Sequence, residues 1–365
     1  MNCKMVQTEL EGSIIILTLY DIADEVTLPE LRELIGGTTL PPSFKHPAPE
    51  YLRFERPPVI ERLPVVTLPS GEQFETTLQY YDYGVVSVLL RFTFRGDWQR
   101  LQQLAGTWIS GTLFDELSRS LVRPKVAQVR PSLVKPYDHW LSEDYYVFHL
   151  HTIQGISTAA ELLQKRGGEI SQIVRGETNP LAEFERAEVL QGCMSYYPND
   201  LVVAGWNATF LYDTEAGAAA TIRILEYTNS QLLQFRHYDD ILTRELPPVY
   251  RFLERRRTGV LASWGMRPAA ARLRTILLEV TELTERTTNA LKFMGDMFSA
   301  RLHKLCAAKI GVNDYQLLVQ EKLRTADELY DFMIEQFHQA RGFLLEITVV
   351  LILVIELFYL FSGRK

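Results

Sequence analysis

At 365 residues, with 47% hydrophobic and 23% charged, the chain is long enough for two domains with sizeable cores, one of them extended rather than globular. A net charge of −7 and an isoelectric point near 5.6 remove any general attraction to nucleic acid, so direct DNA binding is not expected. Cys3, Cys193 and Cys306 are odd in number and far apart, which speaks against a disulfide framework or a thiolate metal site and for a reducing compartment.

Residues 1–13 have neither the basic front and apolar stretch of a secretory signal nor the Arg-rich, acid-poor character of a transit peptide, so the bulk of the chain is expected to stay where it is made. The β-branched run 13–20 predicts a buried strand, and 27–34 a helix with Thr27 as N-cap and Pro29 in its first turn. Eight of the seventeen prolines lie in 41–69, which predicts a long irregular excursion. Residues 74–80 and 85–94, joined at Asp82, Tyr83 and Gly84, read as a β-hairpin. Helical spacing follows at 97–104 and 113–121, then a strand at 145–151 and a helix at 182–191. Pro198, Asn199 and Asp200 mark a turn between two strands. Strands and helices alternate without a regular βαβ period, which predicts an α+β domain over 1–213, with a ferredoxin-like core plus additions as one candidate form.

From about Thr214 the composition becomes helical. Residues 215–246 predict a helix ended by Pro247 and Pro248, and a short piece at 249–257 carries Arg255, Arg256 and Arg257. Pro268 opens a helix expected to reach about residue 308. The following helix repeats apolar residues at alternating spacings of four and three, through Val319, Leu323, Ala326, Tyr330, Met333 and Phe337. Leu273, Ile276, Val280 and Met294 carry the same period, so 214–342 is read as an all-α stalk containing an antiparallel helical hairpin.

The segment 343–361 is the most apolar in the chain, with fifteen large aliphatic or Phe residues in nineteen. As a helix it would be roughly 28 Å long, close to the hydrocarbon thickness of a bilayer. Phe343, Ile347, Leu351, Val354, Phe358 and Phe361 are assigned to this anchor. Glu346 and Glu356 interrupt it; a carboxylate deep in a span costs roughly 2.5–3.5 kcal/mol, which the many residues favourable by about 0.3–0.6 kcal/mol each offset. The expectation is a single-pass C-terminal anchor with the N-terminal bulk cytoplasmic. The alternative is a helix buried in a soluble oligomer, its glutamates paired to arginines. A hairpin turning near Val312 would place Arg267, Arg272 and Arg274 level with the apolar tail, a conflict relieved if the hairpin splays and these arginines lie along anionic headgroups.

The turn around Tyr83 and Gly84, the segment holding Asp200, Trp206 and Asn207, the helix 231–239 and the apolar tail together resemble the family named after a yeast protein required for meiotic nuclear division. The resemblance implies a domain of unknown biochemical function, relatives that include an oligomeric mitochondrial inner-membrane protein supporting translation, and, lacking a transit peptide, a bacterial member at the inner membrane.

The motifs of zinc peptidases, phosphate-binding loops, dinucleotide folds and serine hydrolases are absent, and no catalytic, cofactor or metal residues are assigned. His149 and His151 face the same way on a strand, but no third ligand accompanies them. Two functions are therefore expected in competition. The first is a membrane-tethered, self-associating scaffold that contacts lipid and recruits a cytoplasmic protein or ribonucleoprotein. The second is a soluble or peripheral enzyme whose site is built from scattered residues such as His149, His151 and Asp200.

Overall fold

The computed structural model describes residues 10–36, 38–39, 52–54, 56–255, 267–289, 291–293 and 297–362. The chain divides into two compact units, one formed by Met1–Phe235 with Glu285–Tyr315 and the other by Arg236–Thr284 with Gln316–Lys365. The elements begin with β1 (Leu10–Asp21), β2 (Ala23–Val26), α1 (Leu28–Ile35), β3 (Thr38–Thr39), β4 (Leu52–Phe54), β5 (Val59–Thr67), β6 (Gln73–Tyr80) and β7 (Val85–Gly96). Then come α2 (Trp98–Ser110), α3 (Leu113–Val129), β8 (Leu133–Pro136), β9 (Ser142–Ile153), α4 (Ala159–Arg175) and α5 (Glu183–Leu190). The strands β10 (Cys193–Met194), β11 (Leu201–Ala204) and β12 (Ala208–Tyr212) precede α6 (Glu215–Arg255), α7 (Arg267–Asn289), β13 (Leu291–Phe293), α8 (Met297–Ile310) and α9 (Val312–Ser362). The protein is an α+β domain followed by helices, the last of them long and apolar.

Among the described residues nine strands form one mixed sheet in the order β10-β11-β12-β9-β1-β7-β6-β5-β3. Every pairing in it is antiparallel except that of β9 with β12. β1 lies at the centre, flanked by β7 and β9, and both of its faces are buried. That is why its sequence is a nearly unbroken apolar run rather than an alternation. One face, carrying Ile14, Ile16 and Tyr20, joins Val88, Leu90 and Phe148 and packs on Trp98, Leu101, Phe114, Val122, Leu162 and Ile170 of α2–α4. The opposite face, with Ser13, Ile15, Leu17, Leu19, Asp21, Ser87 and His149, is equally buried yet partly polar.

Several elements depart from what local sequence predicts. Part of the proline-rich stretch is the strand β5, and Pro64 sits within its register shift between Leu63 and Val66, where a missing N–H is tolerated; residues 41–51 and 55 lie outside the described residues. α4 is not announced by the sequence, because Gly167 and Gly168 interrupt a good helical pattern. It is held by Thr158, whose hydroxyl accepts from the Glu161 N–H, and by burial of Leu162, Ile170 and Ile173. α6 does not stop at Pro247 and Pro248 but continues through both to Arg255. The helix expected over 268–308 is broken by β13, which pairs antiparallel with β4; cross-strand pairing overrides helical composition there.

The second unit is helical. Lys322 reaches Asp239 at 2.5 Å and the Thr243 hydroxyl at 2.6 Å, while Arg272 pairs with Glu245 at 2.7 Å. Leu242, Leu246, Leu273, Ile276, Val280, Val319, Ala326 and Met333 are buried.

The β6–β7 turn depends on Gly84. Its φ of +85° is left-handed, and a Cβ there would lie 1.7 Å from the Ala23 carbonyl oxygen. Backbone must therefore move to admit any side chain. Gly84→Ala should destabilise the protein by about 3 kcal/mol or more, read as a lower midpoint in urea denaturation; an unchanged midpoint would show that the turn relaxes freely.

Candidate functional site

The partly polar face of the sheet is covered by the first half of α6. Gln79 Nε2 donates to Glu226 Oε2 at 3.2 Å, Gln234 Nε2 donates to Asp21 Oδ1 at 2.8 Å, and the Tyr83 and Ser230 hydroxyls bond at 2.8 Å. Tyr81 and Tyr83 stack with ring centroids 5.2 Å apart. His303 Nε2, from α8, donates to Gln231 Oε1 at 2.9 Å, and Gln231 Nε2 donates to the Tyr227 hydroxyl at 3.1 Å. The bonds to Gln79, Asp21, Tyr83 and His303 fix α6 against β6, β1, the β6–β7 turn and α8, and the Gln231–Tyr227 bond within α6 orients Gln231, so the layer sets the register of the covering helix.

Charge is costly in this layer. Burial raises the Glu226 carboxyl above its usual range, while the neighbouring Ser87 and Tyr81 hydroxyls and the Arg223 guanidinium act in the opposite sense. Burial likewise lowers Arg223 and raises the Tyr81 and Tyr83 hydroxyls. His303 is pushed down to about 4, by burial. A carboxyl raised on folding contributes most stability below its unfolded value near 4.5 and loses it as pH rises through the folded value. The lowered imidazole contributes fully above its unfolded value near 6.5 and loses that contribution as pH falls towards 4. Glu226→Gln is expected to unfold at a higher temperature than the parent at pH 8, by the equivalent of ~1–2 kcal/mol, and to converge with it near pH 5. His303→Gln should flatten the acid-side loss of stability between pH 6.5 and 4; calorimetry from pH 4 to 8 checks both.

His149 and His151 do not form a ligand pair. His149 is buried, its Nε2 donates to the Asp213 carbonyl at 2.9 Å, its Nδ1 lies 3.4 Å from the Ser13 hydroxyl, and burial lowers its pKa. His151 bonds to Thr152 with its ring 6.1 Å from that of His149. Among the described residues no group of three or more His, Cys, Asp or Glu side chains is placed to hold a metal ion.

At the start of α6 an open cleft of about 590 Å³ lies between the β10–β11 turn, the first turns of α6 and the start of α8. Asp200 accepts from the backbone N–H groups of Tyr196 and Tyr197 at 2.7 and 2.8 Å, which closes the turn and turns both tyrosine rings outward, each 62% exposed. Asp213 accepts from the Thr214 N–H at 2.6 Å and lies across the first turn of α6. Gly217 makes this possible, since a Cβ there would lie 2.2 Å from Asp213 Oδ2.

The other residues singled out in the sequence are dispersed. Tyr83 is in the buried layer and Gly84 in its turn, whereas Trp206 is 54% exposed, its ring against Gly311. Asn207 contributes a backbone carbonyl that accepts from the Tyr146 N–H at 3.0 Å. On the expected helical seam Leu273, Val280 and Met333 are buried, and Leu323, Tyr330 and Phe337 are half-buried. Met294, the side chain of Arg267 and those of Arg255–Arg257 lie outside the described residues. Arg272 and Arg274 are not level with the apolar tail: Arg272 pairs with Glu245, and Arg274 lines a groove with Tyr330, Ile334, Phe337 and His338, all preceding Phe343.

Among the described residues one helix, over Val312–Phe361, is long and apolar enough to cross a membrane, and its apolar window has no residue buried. Phe343, Ile347, Leu351, Val354, Glu356, Phe358 and Phe361 are all exposed.

The class of protein defined by these observations is an α+β domain with a large mixed sheet, continued by helices that end in an exposed apolar span. The chain belongs to the family described as the N-terminal domain of the uncharacterized protein MJ0711, whose profile matches residues 11–219. A relative from Methanocaldococcus jannaschii, the uncharacterized protein MJ0711, is 18% identical over 210 residues, covering 58% of this chain and 64% of its own length. The chain thus spans less than two thirds of that relative. No solved structure matches. The resemblance to the meiotic-nuclear-division family is overturned: the matching profile is a different one, and the relative is archaeal. Its short motifs are explained locally, since Gly84 serves a steric need beside Ala23 and Asp200 a turn, solutions open to unrelated chains. The bacterial assignment that rested on it falls as well.

Proposed function

We propose that the protein is a membrane-tethered, self-associating platform that presents its α+β unit on the cytoplasmic side of a bilayer to a protein or ribonucleoprotein partner. The exposure of the apolar segment 343–361, in which Leu344 alone is half-buried, supports this reading. An exposed apolar surface of this extent is unfavourable in water and marks a membrane or a partner. At roughly 28 Å the segment matches one bilayer crossing. Cys193 is a free, exposed thiol, which suits the reducing side. Lipid is the first partner this requires, and a second copy is the natural neighbour for Glu356 within the span.

The competing enzyme reading gains no support from its residues. Both His149 nitrogens face protein partners, the Ser13 hydroxyl and the Asp213 carbonyl, and the Asp200 oxygens are held by backbone N–H groups.

Alkaline-carbonate extraction of membranes tests the tether. The full chain should stay in the pellet, and a Leu351→Arg/Val354→Arg variant, burdened by roughly 2.5–3.5 kcal/mol per arginine, should be released. Release of the unaltered chain would overturn the proposal.

A further inference from the structure

We infer that the cleft at the start of α6 is a binding site for a small organic cation, an alkyl- or quaternary ammonium group. Its size falls within the range of small-molecule sites, about 300–1,000 Å³. Three aromatic rings form one wall, with Tyr196 set edge-on to Tyr197 at 4.7 Å and to Phe298 at 5.1 Å. Val202, Ile224 and Leu302 supply an apolar bed. Two carboxylates lie in it, Asp200 and Asp213, and none of its lining residues is a lysine or arginine.

Two polar groups in the cleft await a partner. Asp213 directs its bonds to Thr214 through Oδ1, leaving Oδ2 without a protein donor among the described residues. Thr221, only 5% exposed, lines the cleft with no hydrogen bond to its hydroxyl among the described residues. A hydroxyl without a protein partner in the lining of a cleft is open to a ligand or to water.

The sign of the ligand follows from magnitudes. A helix N-terminus offers an anion the equivalent of about half a positive charge, but two ionised carboxylates outweigh it. Burial, and then the charge of Asp200, raises the Asp213 carboxyl above its usual range, a strain that an incoming cation relieves. A hard divalent ion seeks six or more oxygens, whereas Asp200 is occupied by two backbone N–H groups. Aromatic faces with a carboxylate favour an alkylated ammonium instead.

Calorimetric titration of the full chain in maltoside detergent with tetramethylammonium and n-butylammonium chloride, with Mg²⁺ and Ca²⁺ as comparators, decides the matter. Saturable binding of an ammonium ion is expected, weakened about tenfold by Tyr197→Ala and by Asp213→Asn. Phe184→Ala removes an even more accessible aromatic residue elsewhere and should leave binding unchanged. Tyr197 is exposed, so its variant remains informative should Asp213→Asn fail to fold. Absence of saturation by about 20 mM, binding of the divalent ions alone, or equal loss with Phe184→Ala would each overturn the inference.

Discussion

The buried carboxyl of Glu226 governs how helix and sheet fit together in the α+β unit. Glu226 stands in the interior, between the sheet and the helix that covers it, where an ionised group without partners would cost several kcal/mol. Gln79, Tyr81, Ser87 and Arg223 are arranged around it. Such an arrangement is productive only when α6 lies in one register, because sliding the helix by a residue would separate the carboxyl from Gln79, Tyr81 and Ser87, while Arg223, on the same helix, would move with it. An apolar interface would tolerate that slide far better. The polar layer thus confers specificity, while the aromatic and aliphatic core on the other face of the sheet supplies the bulk of the stabilisation.

The same covering helix explains why the cleft lies where it does. α6 must start just after β12 to cross the sheet, and its first turn meets the β10–β11 turn closed by Asp200. Satisfying the backbone of that turn with a carboxylate pushes Tyr196 and Tyr197 outward. Asp213, just after β12, folds back over Gly217. Aromatic rings and acids therefore converge because of two turns and one helix start, each with its own local reason.

Much of this was legible in the sequence, but unevenly. The β-branched run of β1, the hairpin at Gly84 and the apolar tail declare themselves through periodicity and composition, which depend on neighbours close in the chain. The strand β13 could not be read that way, since it exists only through pairing with β4, more than two hundred residues earlier. Pro64 misdirects for the opposite reason: a proline at a register shift leaves a strand intact, yet in sequence it looks like a breaker. At the cleft, Asp200 was visible as a turn residue, but Asp213, Thr221 and Phe298 carry no local signal and are brought together only by the fold. The polar layer was equally hidden, because Glu226, Gln231 and Gln234 read as ordinary residues on a helical surface until the helix is seen to be buried.

The two prolines inside α6 have a mechanical effect. Pro247 and Pro248 carry no N–H, so the carbonyls of Thr243 and Arg244 lose their usual donors four residues on. Two consecutive rungs of the helical ladder are missing, and bending there sacrifices less hydrogen bonding than bending anywhere else along this helix. Compliance is thereby concentrated at one point of an otherwise stiff rod, and thermal motion should show itself there first, as amides exchanging faster with solvent than those a turn to either side.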